Sequence, residues 1–428
     1  MASTRVSRNE VDPQGNRKTF TLSQWIKRTE LGVEGAIFSH RFTNAYYFHI
    51  RFNTDDTFKI EEYSNSSQTL NLQTNRKFRD PSAWYHIVVA MDTTQATDSN
   101  RMKLYVNGVQ ETSLSAVSYP SQNLDLIIDG GAGYASHYGD RGDGGMYFGG
   151  VISHAHYTQG TAYDASYFGE TDSTTGEWKI KTSPSVTYGT KGYFIFKDGN
   201  SVTDQSGNSN NFSVGAGTFT NTEDCPSNVF ATWNPLEPEL SYKGTYSNGN
   251  TTVATTTTGG TSLRGSIAIP YTGKWYWENK VVSTSGTIGD NSRIGIATGD
   301  SITVGSNVRY MSDGQKTVDA TASSYGATYG AGDIIGVAVD SDNNTVEFFK
   351  NGVSQGSISY TMDSSLTYKP YISENSNTIS ITFSTNFGNG YFGTTAVSSA
   401  GTNASGIGIF EYDVPTGYTA LSTKGLNE

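Results

Sequence analysis

The chain shows little helical periodicity. Its apolar residues fall in short runs and alternations bounded by turn residues, and two stretches show this most clearly. Trp84-Tyr-His-Ile-Val-Val-Ala-Met-Asp92 is followed, after a polar tract, by Met102-Lys-Leu-Tyr-Val-Asn-Gly108. Gly332-Asp-Ile-Ile-Gly-Val-Ala-Val-Asp340 is followed by Val346-Glu-Phe-Phe-Lys-Asn-Gly352. Each reads as a strand, a polar turn, a second strand and an Asn-Gly turn. Asn-Gly is a strong hairpin signal because both residues tolerate positive φ. The same pattern recurs about 250 residues later in otherwise different sequence. It predicts two antiparallel β-sandwiches of related design in one all-β chain. Sandwiches of this kind more often bind than catalyse.

Other elements follow from the same reading. Phe20 to Lys27 predicts a strand, and Tyr46 to Phe52 with Thr57 to Tyr63 predicts a hairpin. Gly130 to Gly150 reads as a glycine-rich loop, followed by a return strand to Tyr157. Asp164 to Glu170 is the best helix candidate in the first half, with Asp164 as its N-cap. Glu223 to Pro238 carries three prolines and reads as a linker or strap, and Thr251 to Gly260 as an exposed loop or poorly ordered edge. In the second half Lys274 to Glu278, Arg293 to Ala297, Ile334 to Val339 and Thr378 to Phe383 predict strands, and Phe410 to Leu421 closes the domain. Trp84, Trp275 and Trp277 are expected in cores. The expected division is a polar arm at 1–17, a first sandwich at 18–222, a linker at 223–240 and a second sandwich at 241–428.

Composition narrows the function. Charged residues make up only 16% of the 428, and 48 Gly with 27 Tyr supply turns and strands. The net charge is −11 without a Lys/Arg-rich run, so nucleic acid and anionic membranes are not expected partners. The mildly basic Arg17, Lys18, Lys27 and Arg28 read as a solvated strand edge. Cys225 is the one cysteine, so no intrachain disulfide forms. The N-terminal stretch lacks an apolar signal segment, and no apolar run has bilayer length. A surface-type composition without disulfides or export signal fits a virus particle assembled in the cytoplasm and released by lysis.

Candidate chemistry is sparse. The chain has no G-x-S-x-G elbow, H-E-x-x-H or phosphate loop, so no enzyme is expected. His154-x-His156 lacks a third ligand at fixed spacing and reads as packing. Asp340-Ser-Asp-Asn-Asn344 resembles the start of a calcium loop, but Thr345 replaces the required Gly, so a hairpin turn is expected. Recognition is expected from the loops 130–147 and 305–330. There Tyr134, His137, Tyr138, Asp140, Arg141, Asp143, Tyr310, Tyr325 and Tyr329 would offer flat faces and polar groups. Arg141-Gly-Asp143 itself reads as a simple turn.

These phrases carry a resemblance. Phe20 to Lys27, Trp84 to Asp92, Lys103 to Gly108 and Phe168-Gly-Glu170 resemble the laminin-G/concanavalin-like superfamily. Gly273 to Glu278, Ile294-Gly-Ile296, Gly332 to Gly336 and Phe348 to Gly352 resemble a SPRY domain. The pairing is similar to proteins predicted from tailed phages of marine bacteria. Phe78-Arg-Asp-Pro-Ser-Ala-Trp-Tyr-His86, Tyr167-Phe-Gly-Glu-Thr171, Pro226 to Pro235 and Val414 to Leu421 match phrases recurrent there. The usual opening strand before Gly15 looks weak or missing. The resemblance implies a virion appendage of tail-fibre type that recognises a host-surface glycan or protein. A capsid decoration or fibre adaptor binding other virion proteins is the alternative, and a polysaccharide-trimming enzyme the third. It implies a homo-oligomer, a trimer by analogy with phage fibres. Laminin-G-like domains often hold calcium at a rim, which directs attention to Asp198, Asn200 and Asp204.

Overall fold

The computed structural model describes residues 4–11, 14–197, 202–236, 244–257, 260–298, 306–376 and 378–427. The chain divides into two compact units, Met1–Asn221 and Thr222–Glu428. Both are β structures, and the described helical segments are three short 3-10 turns.

In the first unit, alternation puts one face of each strand in the core. An eight-stranded sheet runs Leu114–Ser118, Ser67–Lys77, Thr57–Ser64, Tyr46–Phe52, Gly35–Thr43, Ala135–Tyr138, Arg5–Asn9, Ser213–Ala216. A six-stranded sheet runs Tyr193–Ile195, Gly150–Gln159, Thr19–Arg28, Trp84–Asp92, Met102–Val106, Val109–Gln110. Phe38, Phe48, Ile50, Phe58, Ile60 and Leu72 from the first meet Phe20, Leu22, Ile87, Val89 and Leu104 from the second in one core cluster. Phe20 and Phe48 pack edge-on across the layers at 6.1 Å.

The first residues are not a loose arm. Arg5–Asn9 is a sheet strand between Ala135–Tyr138 and Ser213–Ala216. Val6 is buried, Arg8 pairs with Glu10 at 2.7 Å, and Arg5 reaches Asp140 at 3.3 Å. The basic patch is corrected too. Lys27 and Arg28 are buried, at 1% and 2% exposure. Arg28 Nη1 donates to Asp56 Oδ1 at 3.1 Å and to the Phe78 carbonyl at 2.7 Å, with its guanidinium over the Phe52 ring. Asp164 caps its short turn as expected, accepting from the Ser166 amide at 2.8 Å.

The second unit also has two main sheets. One runs Thr245–Ser247, Thr252–Ala254, Ile381–Asn386, Lys274–Thr284, Ile334–Asp340, Thr345–Lys350, Val353–Ser359, with Thr419–Ala420 parallel to Lys274–Thr284. The other runs Thr261–Arg264, Lys369–Glu374, Ser292–Ala297, Asn307–Met311, Gln315–Val318, Thr321–Ser324. Trp84, Trp275 and Trp277 are buried, as expected. The segment expected as a linker instead enters this unit's core through Phe230, Ala231 and Trp233. Trp233 is fully buried and its Nε1 donates to Thr385 Oγ1 at 3.0 Å. Thr252–Ala254, expected in an exposed loop, pairs with Ile381–Asn386. Buried Glu278 fastens the closing segment by accepting the amides of Glu411 and Tyr412, each at 2.9 Å.

Both Asn-Gly turns form as read. Asn107 and Gly108 have φ of 47° and 81°, and Asn351 and Gly352 have 49° and 79°. In each turn the Asn also holds the neighbouring strand. Its Oδ1 accepts an amide there, from His86 at 2.7 Å or Ile334 at 2.8 Å. Its own amide donates to that same residue's carbonyl.

Candidate functional site

The 130–147 segment is only partly a loop, because Ala135–Tyr138 pairs with Gly35–Thr43 inside the sheet. This pairing separates the expected site residues. Tyr138 points into the core, 2% exposed, with its hydroxyl 3.2 Å from that of Tyr193. His137 is buried in the strand, and burial lowers its pKa to about 4. Asp140 is fully buried and organises the following turn, accepting the amides of Gly142 at 2.8 Å and Gly144 at 3.3 Å. Arg141 and Asp143 stay near the surface and pair with each other at 2.8 Å, while Arg41 also reaches Asp143 at 3.1 Å. The tripeptide is therefore an internally paired turn.

Tyr134 alone among these joins an aromatic surface. Phe42 continues the series Phe38, His40 along its strand and ends 51% exposed. Tyr134 lies 5.1 Å from it, and Tyr46, across the turn that follows Phe42, lies 6.4 Å from it. Behind Tyr134, the His40 ring stacks at 5.4 Å with a 12° interplanar angle. Glycine makes the arrangement fit. A Cβ on Gly133, whose φ is +95°, would touch the Phe42 ring at 3.0 Å, and one on Gly130 would meet the Tyr134 ring at 2.7 Å. Polar groups border the rings. Gln14 donates to the Gly130 carbonyl at 3.0 Å, and Arg17 donates to Gln14 Oε1 at 3.3 Å. Exposed Asn44 accepts from Arg41. Burial holds the His40 pKa near 3, so the imidazole behind the rings is neutral at ordinary pH. Exposed ring faces bordered by amides and a guanidinium can stack on the apolar faces of sugars and bond their hydroxyls.

The 306–330 segment is mostly sheet. Val308 and Tyr310 turn inward, so Tyr310 is fully buried and donates to the Ala327 carbonyl. Tyr329 is 3% exposed, and its hydroxyl lies 3.0 Å from the Ser292 carbonyl and 3.1 Å from the Tyr310 carbonyl. Tyr325 is half-buried and ties its turn to the neighbouring strand by donating to the Gly356 carbonyl. These three tyrosines therefore serve packing, and the structure withdraws them from the expected recognition surface. The outer face of the same sheet instead holds a cleft of about 420 Å³. Asp290, Arg293, Arg309, Met311, Gln315 and Thr317 are among its lining residues.

Comparison with known families matches both halves. Residues 3–159 match the model of the concanavalin A-like lectin/glucanases superfamily, and residues 274–386 match that of the SPRY domain. The chain carries a concanavalin A-like domain and a SPRY domain in tandem. A search of curated proteins returns no match. Among solved structures, the SPRY domain of human HERC1 is 15% identical, with a TM-score of 0.31 over 36% of this chain and 96% of that one. A SAP-like pentraxin from Limulus polyphemus is 19% identical, with a TM-score of 0.27 over 38% of this chain and 72% of that one. Both domain types are typically binding or interaction modules without catalytic function.

The remaining candidates in the concanavalin A-like unit have structural partners. Asp204 accepts from the amides of Phe194, Ser206 and Asn210 at 2.8–2.9 Å and from the Ser206 hydroxyl at 2.8 Å, so its oxygens already organise a turn. Asp198 and Asn200, expected beside it, lie outside the described residues. Among the described residues no group of three or more His, Cys, Asp or Glu is placed to hold a metal. His156 is buried, stacked on Phe194 at 3.9 Å and bonded to the Tyr188 hydroxyl at 2.9 Å. His86 accepts at Nδ1 from Trp178 Nε1 at 3.0 Å, which leaves Nε2 to donate to Ser23 Oγ at 2.9 Å. In the SPRY unit Asp340 accepts the Asn343 amide at 2.9 Å and pairs with Lys274, as a hairpin turn requires. Sequence reading missed Phe42 because no predicted element covered it, and Tyr46 because it opens an expected strand. Their adjacency in one short hairpin was the available signal.

Proposed function

We propose that this chain is a virion protein, a phage appendage of tail-fibre type, that binds a host-surface glycan without turning it over. The observation carrying the glycan reading is the Phe42, Tyr46 and Tyr134 rim, with its half-exposed central ring and bordering polar groups. Two binding-type domains in tandem support recognition over catalysis. The buried carboxylates also support it. Glu62, Asp129, Glu278 and Glu374 are pushed up to about 7 by burial, yet each is 3% exposed or less and bonded to its own domain. None is placed to reach a bound polymer. The phage setting rests on the order of the sequence phrases. In that setting a homo-trimer raises weak single-site sugar binding by about 10²–10⁴ through multivalency.

One observation favours the adaptor reading. The sheet ends in Val353–Ser359, a mostly exposed strand with Val353 at 65%, which offers an open edge to another virion protein. A substitution separates the two readings. Phe42→Ala should reduce binding of the purified chain to bacterial surface polysaccharides by about tenfold, with its melting temperature little changed. Unchanged glycan binding by the variant would move the site away from this rim, and no glycan binding by the native chain would remove the glycan reading and leave the adaptor reading in place.

A further inference from the structure

The cleft of the SPRY unit lies on the face of the six-stranded sheet away from the core. Strand register explains its chemistry. Ile294, Val308, Tyr310 and Ile372 point inward and belong to the core cluster. Their neighbours therefore point outward. Across the sheet, Arg264 stands opposite Tyr371, Tyr371 opposite Gly295, Gly295 opposite Arg309, Arg309 opposite Thr317, and Thr317 opposite Ala322. In the next row Arg293 stands opposite Met311. The guanidiniums of Arg264 and Arg309 lie over the Tyr371 ring at 5.9 Å and 5.6 Å. Small residues at 317, 320 and 322 leave the open volume beside Arg309.

Arg293 is the informative residue. Its Nε is buried and has no hydrogen-bond partner, and no carboxylate pairs with it among the described residues. An unmatched buried donor on a cation is costly, and here it lines an open cleft beside a second guanidinium. The charge of Arg293 also helps lower the Arg309 pKa, after burial as the larger cause. Two like charges held together favour an anion between them. Asp290, exposed at the cleft wall, disfavours a dianion but would accept a bond from a hydroxyl. Met311, Ala320 and Ala322 supply apolar wall.

We infer that this cleft binds an acidic sugar, its carboxylate or sulfate monoanion held by Arg293 and Arg309 and a ring hydroxyl donating to Asp290. The site uses none of the residues of the aromatic rim, so the two can fail separately. A peptide carboxylate shares the anion chemistry and could pair along the open strand Thr321–Ser324. The sugar is favoured because the cleft combines a carboxylate acceptor with apolar walls.

The experiment titrates the full chain, by calorimetry and at two salt concentrations, with glucuronate, galactose 6-sulfate, glucose, inorganic sulfate and a short aspartate-containing peptide. Saturable binding of either acidic sugar, weaker at high salt and absent for glucose, is expected. Arg293→Gln should weaken it about tenfold or more, Arg293→Lys less, and Phe42→Ala not at all. Melting curves of the variants verify that the unit stays folded. Failure of both acidic sugars to bind would overturn the inference. So would inorganic sulfate binding as tightly as they do, binding by the peptide alone, or an Arg293→Gln chain that binds like the native one.

Discussion

Replacing Asn351 tests the logic of the paired hairpins. The residue supplies a left-handed backbone at φ 49°, an Oδ1 acceptor 2.8 Å from the Ile334 amide and an Nδ2 donor 2.7 Å from Asp333 Oδ1. Asn351→Gly keeps the backbone freedom and removes both side-chain bonds, of which the one to Asp333 is exposed. It should cost about 1–2 kcal/mol, the range for a lost hydrogen bond that leaves a mostly buried amide unpaired. Asn351→Ala loses these bonds and keeps a Cβ in the left-handed region without the polar side chain that makes it tolerable there, for roughly 1–2 kcal/mol more than Gly. The Ala variant should therefore lose about 2–4 kcal/mol in all. For a unit of this size that lowers the melting temperature by roughly 5–12 °C. Thermal unfolding followed by calorimetry reads the shift, which should fall on the transition of the second unit alone. Hydrogen exchange should show the Ile334 amide deprotected first. Asn107→Ala should reproduce the effect on the first unit's transition, because its Oδ1 accepts the His86 amide at 2.7 Å. A Gly variant as destabilised as the Ala variant would refute the backbone part of the reasoning. Two neutral variants would refute all of it.

Three further outcomes are expected. Trp233→Ala should destabilise the second unit by about 3–5 kcal/mol, read by denaturant unfolding, because this fully buried ring sits in its core. A change below 1 kcal/mol would restore the linker assignment for its segment. Asp56→Ala should cost the first unit about 3–5 kcal/mol, since it strands the buried Arg28 guanidinium paired with it at 3.1 Å; an Arg28→Met, Asp56→Ala double variant should recover part of that loss. Glu62 is raised by burial from 4.5 to about 7, so its contribution to stability is full below pH 4.5 and is lost as pH rises through about 7. Melting of the first unit between pH 4.5 and 8 should show that decline, and Glu62→Gln should reduce it; an unchanged slope would place the titration elsewhere.

Sequence legibility followed the locality of each signal. The hairpins were readable because Asn-Gly and its flanking strands lie within a few residues of one another. The tryptophan burial was readable because alternation is a short-range pattern. The opening strand was misread because Val6 is its one buried apolar residue and its partners lie more than a hundred residues away, at Ala135–Tyr138 and Ser213–Ala216. The Phe230 to Trp233 strap was hidden by its prolines, although its aromatics were in view. Tyrosine misled most. Tyr138, Tyr310 and Tyr329 look like recognition residues in sequence, yet each buries its ring and bonds its hydroxyl inside the core. The phenol suits either setting, and only the strand register decides which face it takes. The Arg293 and Arg309 cleft depends on register between strands and has no local signature.

The proposed function requires that the chain hold a surface glycan without cleaving it. The most direct measurement is co-sedimentation of the full chain with bacterial surface polysaccharides, followed by sizing of the recovered polymer after prolonged incubation. At least one polysaccharide should be retained by the native chain at its full length, and retention of a neutral polymer should fall with Phe42→Ala. A polymer that shortens during incubation, or a native chain that retains no polysaccharide, would contradict that reading.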